Sequence, residues 1–474
     1  MSLLLSPLSL FCSLFAIIIG TLIFKRPKIR FPIINKNPQE FITNARSLLK
    51  TGFSTHGSNP YIIQVPNGQK LILPPTLINW VKHNKDVDHQ QLVREDFFAN
   101  HPGFEVNFVL HHENRMVINM IQGKLSKTDK TLPILDEAIE KGLRDIWGES
   151  KEWKGLDWED NTTGIISRAA SSIFVGPELA SDPEWQAVSR AYVLDFFSAV
   201  PEMQSVHPWL RSIRQYSLPH ATACRTGLAR AREMVNKAVQ KRRQEVNPPA
   251  YYDALAWTME NSAAEGFEPG DVQLALAMAA LFTTSELFRQ VLVEIARRPE
   301  YVEPLRNELE DAMGDGVTGA SLVKMGLLDS FIKECQRQIP PLVLLERIVV
   351  RDTTLPDGTP LEKGTHIAVD GREMLNPPTF SNPDEFDGYR FYKRREAGDN
   401  SGLLVQSSPD HAHFGMGRHQ CPGRFFAGSE LKLCLAQILM KYDLRLKEGY
   451  KPQVMEMGFM SVCDPFAQVE IKRR

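Results

Sequence analysis

The residues best equipped for chemistry fall in one stretch, His411-Ala412-His413-Phe414-Gly415-Met416-Gly417-Arg418-His419-Gln420-Cys421-Pro422-Gly423-Arg424. Pro-Gly follows Cys421, and Ala427, Leu431, Leu435 and Ile438 then recur at helical spacing, so the sulfur is expected at a helix N-terminus. The helix dipole and free N–H groups there favour a thiolate, the form that ligates metal or attacks carbon. Gly415 and Gly417 let the preceding loop approach something bulky, while Phe414 shields the sulfur from water. Three readings compete. One is a small buried cysteine after a turn. Another is a zinc site built from His411, His413, His419 and Cys421, whose spacing suits tetrahedral coordination poorly. The third is a single axial thiolate on haem iron, which needs one sulfur, hydrogen bonds to tune it and an apolar cavity.

Phe414-x-x-Gly417-x-His419-x-Cys421-x-Gly423 resembles the haem-binding signature of the cytochrome P-450 family at every defined position. The resemblance implies haem b as cofactor, with Cys421 as the axial iron ligand and His419 against a haem propionate. Phe414 and Gly417 would shape the loop that carries the sulfur. Glu334-Cys335-Gln336-Arg337 resembles the family's Glu-x-x-Arg motif, with its two charges side by side on a helix. Arg390, in Phe386-Asp387-Gly388-Tyr389-Arg390-Phe391, resembles the arginine that completes a structural triad, although Gly388 stands where the family has proline.

Ala279-Ala280-Leu281-Phe282-Thr283-Thr284 resembles the family's oxygen-binding stretch, and Thr283 matches the threonine that passes protons during catalysis. A lone helical threonine ordinarily bonds its own helix instead. Phe282 departs from the pattern, because a carboxylate is usual there; Glu286 lies one turn away. A second departure is the missing Trp-x-x-x-Arg, for which Arg115 and Arg347 are the substitute propionate contacts. Arg418, Arg424 and Lys432 suggest a cationic rim that would steer an acidic electron donor. No flavin or nicotinamide fingerprint occurs, so electrons are expected from a separate protein; the resemblance implies that this partner is NADPH–cytochrome P-450 reductase, drawing on NADPH.

Elements must hold these groups in place. Tyr61–Val65 and Gln69–Leu73 flank Pro66-Asn67-Gly68 and predict a hairpin; a second strand group is expected at Arg347–Val350 and His366–Val369. Helices are predicted over Ala221–Val246 and Asp271–Ala296, and a polar, mobile loop over Arg394–Ser408. Phe104, Phe108, Val109, Leu276, Ala280 and Leu342–Leu345 are expected around an apolar substrate.

Leu3–Phe24 carries no charge and Lys25-Arg26-Pro27-Lys28 follows, which predicts a single-pass anchor. The catalytic part would then face the cytoplasm, as in proteins of the endoplasmic reticulum. The domain division is a transmembrane helix at 1–24, a basic, proline-containing connector at 25–40 and a haem-thiolate domain at 41–474. The 55 Lys and Arg against 57 Asp and Glu exclude the global basic field of nucleic-acid binders, and six cysteines without a CxxC pair exclude a disulfide framework.

The fold class is α+β, predominantly helical, with the small β-sheets of the P-450 fold plus one N-terminal transmembrane helix. The activity implied is O2- and NADPH-dependent oxidation, chiefly hydroxylation, of a hydrophobic small molecule. Wording around Cys421 and Thr283 is most similar to fungal enzymes of terpenoid, indole-terpenoid, alkaloid or mycotoxin biosynthesis. Desaturation, epoxidation or ring coupling shares every motif, and a haem binder without turnover is the non-enzymatic alternative.

Overall fold

The computed structural model describes residues 31–474 other than 248, 315 and 375–379. The expected anchor at 1–24 lies outside the described residues. Seven helices build the body around the site: α1 (Thr128–Gly142), α2 (Trp158–Phe174), α3 (Pro183–Ser205), α4 (Pro219–Gln244), α5 (Pro269–Arg297), α6 (Gly326–Gln338) and α7 (Arg424–Lys441). Three of them open on a proline, whose fixed φ and missing N–H are costless in a first turn. The predicted helices at 221–246 and 271–296 are α4 and α5, each starting two residues earlier, at that proline.

Helix α5 runs through the middle and touches α2, α3, α4, α6 and α7. Its apolar residues occupy nearly every side, as expected of a helix buried all round: Leu274, Ala275, Phe288, Val291 and Leu292 are fully covered. Among the described residues α5 is the one helix long and apolar enough to cross a membrane, and it lies in the core.

The two predicted strand groups join in one five-stranded sheet. Its strands are β1 (Tyr61–Val65), β2 (Gly68–Leu73), β3 (Val87–Asp88), β4 (Val343–Val349) and β5 (His366–Asp370), in the order β1-β2-β5-β4-β3. The hairpin closes at Val65↔Gly68, with Gly68 at a φ of 142° that only glycine adopts readily. Strand β2 pairs in parallel with β5 from Lys70↔His366 to Leu73↔Val369, and β3 pairs with β4 through Asp88↔Ile348. Residues 33–35 lie along β1: Ile34 N–H donates to Ile62 O, and the Asn35 side chain bonds both backbone groups of Gln64.

The expected mobile loop at 394–408 is a correction. Residues Arg390–Glu396 are helical, a short 3₁₀ turn follows at Asn400–Gly402, and Leu404 is fully buried. Lys333 of α6 explains the order, since its buried ammonium donates to Leu403 O at 2.8 Å and Gln406 O at 2.7 Å. Two backbone carbonyls held by one buried cation leave that segment little freedom.

Candidate active site

The loop before α7 turns twice through left-handed glycines, Gly415 at φ 67° and Gly417 at φ 70°. At Gly417 the reason is also space: a Cβ there would sit 2.8 Å from the Lys82 side chain and 3.0 Å from the Lys82 carbonyl oxygen. The loop closes where Cys421 N–H donates to Phe414 O at 2.8 Å, so Phe414 and Cys421 face each other across its ends. Helix α7 starts at Arg424, two residues later than Pro422 suggested, with Gly423 as its cap. Backbone N–H groups of Gly423 and Arg424 and the Arg424 charge favour the thiolate, but burial outweighs them and raises the Cys421 pKa. The helix end and burial therefore pull the thiol in opposite directions.

Two residues before the sulfur, His419 meets a group of charges brought from three other elements. Its Nε2 accepts from Arg418 Nε at 2.8 Å and lies 3.4 Å from Asp88 Oδ2. Asp88 belongs to β3, and the next residue, His89, places its ring 6.1 Å from that of His419 and 6.4 Å from that of His111. Burial first, then the Arg347 charge, pushes the His89 pKa down to about 4. His111 falls to about 3 by burial and by His89 and Arg94, and its Nδ1 is buried without a hydrogen-bond partner.

Arg347 completes this group. Its side chain is buried, with its Nη1 donating to Glu346 O at 2.7 Å, and burial lowers its pKa to about 10 despite the nearby Asp88. The local backbone aims it: the β4–β5 register shifts between Leu344 and Arg347, and Leu345 takes a left-handed φ of 50°. Such a bulge re-aims the side chains that follow, and a leucine at positive φ persists only when the surroundings hold it. The Arg347 and Arg418 guanidiniums both act on His419 beside the carboxylate of Asp88, while His89 and His111 stay neutral, so the group offers charged and neutral hydrogen-bonding partners that fit the propionates of a haem edge.

Arg115 takes a left-handed φ of 54° at the start of the short helix Met116–Met120. The guanidinium acting on His111 is that of Arg94. His89, His111 and Arg94 were missed in the sequence because nothing local marks them; the one available signal was the paired His111-His112 close to Arg115.

On α5, Ala279 and Thr283 stay exposed in the middle of an otherwise buried helix. Thr283 Oγ1 donates to Ala279 O at 3.2 Å, the intrahelical bond of an ordinary helical threonine. Phe282 turns to α3 and meets the Phe197 ring. Glu286 is engaged elsewhere: it pairs with Arg289 and accepts from Cys463 N–H at 3.1 Å. Of the expected substrate positions, Phe104, Val109 and Leu276 are core residues, Phe104 packing on Phe98 and Phe196, while Ala280 is partly open.

The triad forms as expected. Arg337 Nε and Nη2 each donate to Glu334 at 2.8 Å, and Arg390 Nε donates to the same carboxylate at 3.0 Å. Remaining guanidinium N–H groups hold the carbonyls of Ser381, Pro383 and Glu385, so the buried charges knit α6 to the segment before Arg390. Gly388 has a physical reason: a Cβ there would lie 2.5 Å from Tyr301 and 3.0 Å from Phe331.

Two other expectations change. Lys432 is no surface cation, because it is buried in an ion pair with Asp329 at 2.8 Å and donates to Leu322 O. The zinc reading fails on geometry. The rings of His411 and His413 stack on each other at 4.6 Å while His419 turns to Asp88, and among the described residues no three His, Cys, Asp or Glu converge as metal ligands.

The glycine-shaped loop thus sets Cys421 two residues after His419, which meets Asp88 and the charge of Arg347. The Cytochrome P450 family model matches residues 92–467, and the chain belongs to that family. It is 33% identical to the cytochrome P450 monooxygenase ntnM of Nectria sp, over 94% of this chain and 87% of the relative. The cytochrome P450 monooxygenase hepE of Aspergillus oryzae is likewise 33% identical, over 93% of this chain and 83% of the relative. Among solved structures, the fold is shared with cyanobacterial CYP120A1 bound to retinoic acid, at a TM-score of 0.68 and 16% identity over 94% and 99% of the two chains. The chain is a haem-thiolate monooxygenase by family.

Proposed function

We propose that Cys421 ligates the haem iron as a thiolate, that His419 and Arg347 hold the haem propionates, and that the enzyme oxidises a hydrophobic small molecule in fungal secondary metabolism. The observation that carries this reading is the position of the Cys421 loop against the Arg347–His419 group, with the open Thr283 on α5. When bound, the haem supplies the redox centre at which dioxygen is divided between substrate and water. The chain's own residues do the rest. Phe414 closes the loop through its carbonyl oxygen, which accepts from Cys421 N–H, Gly417 lets the loop pass against Lys82, and the Glu334–Arg337–Arg390 triad fixes the segment before Arg390.

Cys421 would hold the iron through its sulfur, and the N–H groups of Gly423 and Arg424 with the Arg424 charge would favour the thiolate there. Thr283 can release Ala279 O and offer its hydroxyl toward the open side of α5, where no acidic neighbour at position 282 assists it. Electrons are assigned to NADPH through NADPH–cytochrome P-450 reductase. Anchoring by residues 1–24, with the catalytic part facing the cytoplasm, rests on the uncharged Leu3–Phe24 and the basic residues after it. The test is the carbon monoxide difference spectrum of the reduced protein. A red-shifted Soret band that disappears in Cys421→Ser is expected; absence of the band, or its survival in the variant, overturns the assignment.

A further inference from the structure

A cavity of about 380 Å³ opens beside the short helix His89–Asp96, lined by Arg94, Phe98, Asn100, His101 and Arg211. Arg211 enters it from the connector between α3 and α4. Its Nε donates to Met203 O and Val206 O, both at 3.0 Å, and its guanidinium carbon stands 5.1 Å from the centre of the Phe98 ring. These bonds fix the side chain while its terminal nitrogens remain for a ligand. Among the described residues no carboxylate pairs with Arg211, and burial alone acts on its pKa, lowering it. Arg94 is steadied by Gln91 at 2.5 Å and reaches Glu113, a mostly exposed acid, only at 3.9 Å. The one acid at the rim, Glu95, is exposed and accepts from Gln91 Nε2 at 2.6 Å. His101 Nδ1 is buried without a hydrogen-bond partner.

Beyond the lining of this cavity, a run of aromatic rings leads to α5. Phe97, next to the lining residue Phe98, lies 6.5 Å from Phe197, whose ring is 4.9 Å from Phe282, the residue before Thr283. All three rings keep part of their surface outside the core.

We infer that this cavity is a carboxylate subsite of the substrate: the enzyme takes an apolar molecule whose acid group, remote from the oxidised carbon, is held by Arg211 and Arg94 while its body lies along Phe97, Phe197 and Phe282. The inference rests on the monooxygenase reading above. A partly desolvated guanidinium without a counterion is costly, and a carboxylate accepts its fork of N–H groups through short, charge-assisted bonds. A neutral substrate leaves that charge uncompensated.

The test uses the haem-loaded protein, equilibrium dialysis and three matched probes: dodecanoic acid, its methyl ester and dodecanol. Wild type binds the acid about tenfold more tightly than the ester or the alcohol, as one charge-assisted contact requires. Arg211→Gln and, separately, Arg94→Gln erase that preference by weakening the acid alone, and Arg211→Lys keeps part of it. Because Arg211 also holds two carbonyls, thermal melting of its variants is compared, and Arg94→Gln gives an answer independent of that anchor. Equal affinity for acid and ester, a preference that survives both Gln variants, or no binding of the acid overturns the subsite. Dialysis reads binding whatever the haem does, and the carbon monoxide spectrum of the same preparation reports the haem assignment separately.

Discussion

The rings of Phe282 and Phe197 lie against each other, 4.9 Å between centroids and 42° between planes. This contact joins α5 to α3 without charge, at the position where the resemblance implies an acid. Under the proposed function, proton delivery is assigned to Thr283 with no carboxylate at position 282 beside it. Thr283→Ala is expected to release several-fold more peroxide per NADPH consumed, and Thr283→Ser to restore coupling. Peroxide and NADPH are measured together; unchanged coupling in the alanine variant removes Thr283 from the relay.

Glu334 is fully buried and Arg337 nearly so, and each balances the other's charge. Removing one partner of such a pair strands a buried charge and costs about 3–5 kcal/mol. Glu334→Ala and Arg337→Ala are expected to give protein without haem and with a lowered Tm. Absorbance at the Soret band against total protein checks this, and normal haem content in either variant refutes the structural role.

Tyr301 fills the space beside Gly388 and accepts its N–H at 3.1 Å. Gly388→Ala drives a methyl group into that ring, an overpacking worth about 1–3 kcal/mol. The double variant with Tyr301→Ala is expected to cost less than the sum of the two single changes, because residues in contact are not additive. Urea denaturation of the four proteins completes the cycle.

Glu430, on α7, is fully buried, neither carboxyl oxygen has a hydrogen-bond partner, and burial lifts its pKa to about 8. In the unfolded chain it ionises near the ordinary value of 4.5, so between pH 4.5 and about 8 only the unfolded state has released the proton. The stabilising contribution is complete below pH 4.5 and is lost as pH rises toward 8, at about 1.4 kcal/mol per pH unit at most. Wild type minus Glu430→Gln stability, read by denaturation at several pH values, is expected to fall across that window and level off above it.

Much of this molecule is written locally. The Cys421 loop, the Glu-x-x-Arg pair and the α5 stretch depend on short spacings, and each forms where the sequence places it. What was hidden depends on distant partners. Lys432 looks like a surface cation until Asp329 is seen beside it, and the 394–408 segment looks mobile until Lys333 takes its carbonyls. His89 and His111 carry no spacing signal because elements far from His419 in the chain bring them toward it. Gly388 is a departure in sequence and a necessity in space, since Tyr301 fixes it from elsewhere.

The parallel pairing of β2 with β5 has a consequence for synthesis. The hairpin β1–β2 can close soon after it leaves the ribosome, but the partner of its outer edge, His366–Asp370, follows only after most of the helical body. Until then β2 shows a row of unpaired N–H and C=O groups flanked by Leu71, Ile72 and Leu73, the kind of edge that recruits foreign strands. The nascent chain thus presents this edge early and covers it late.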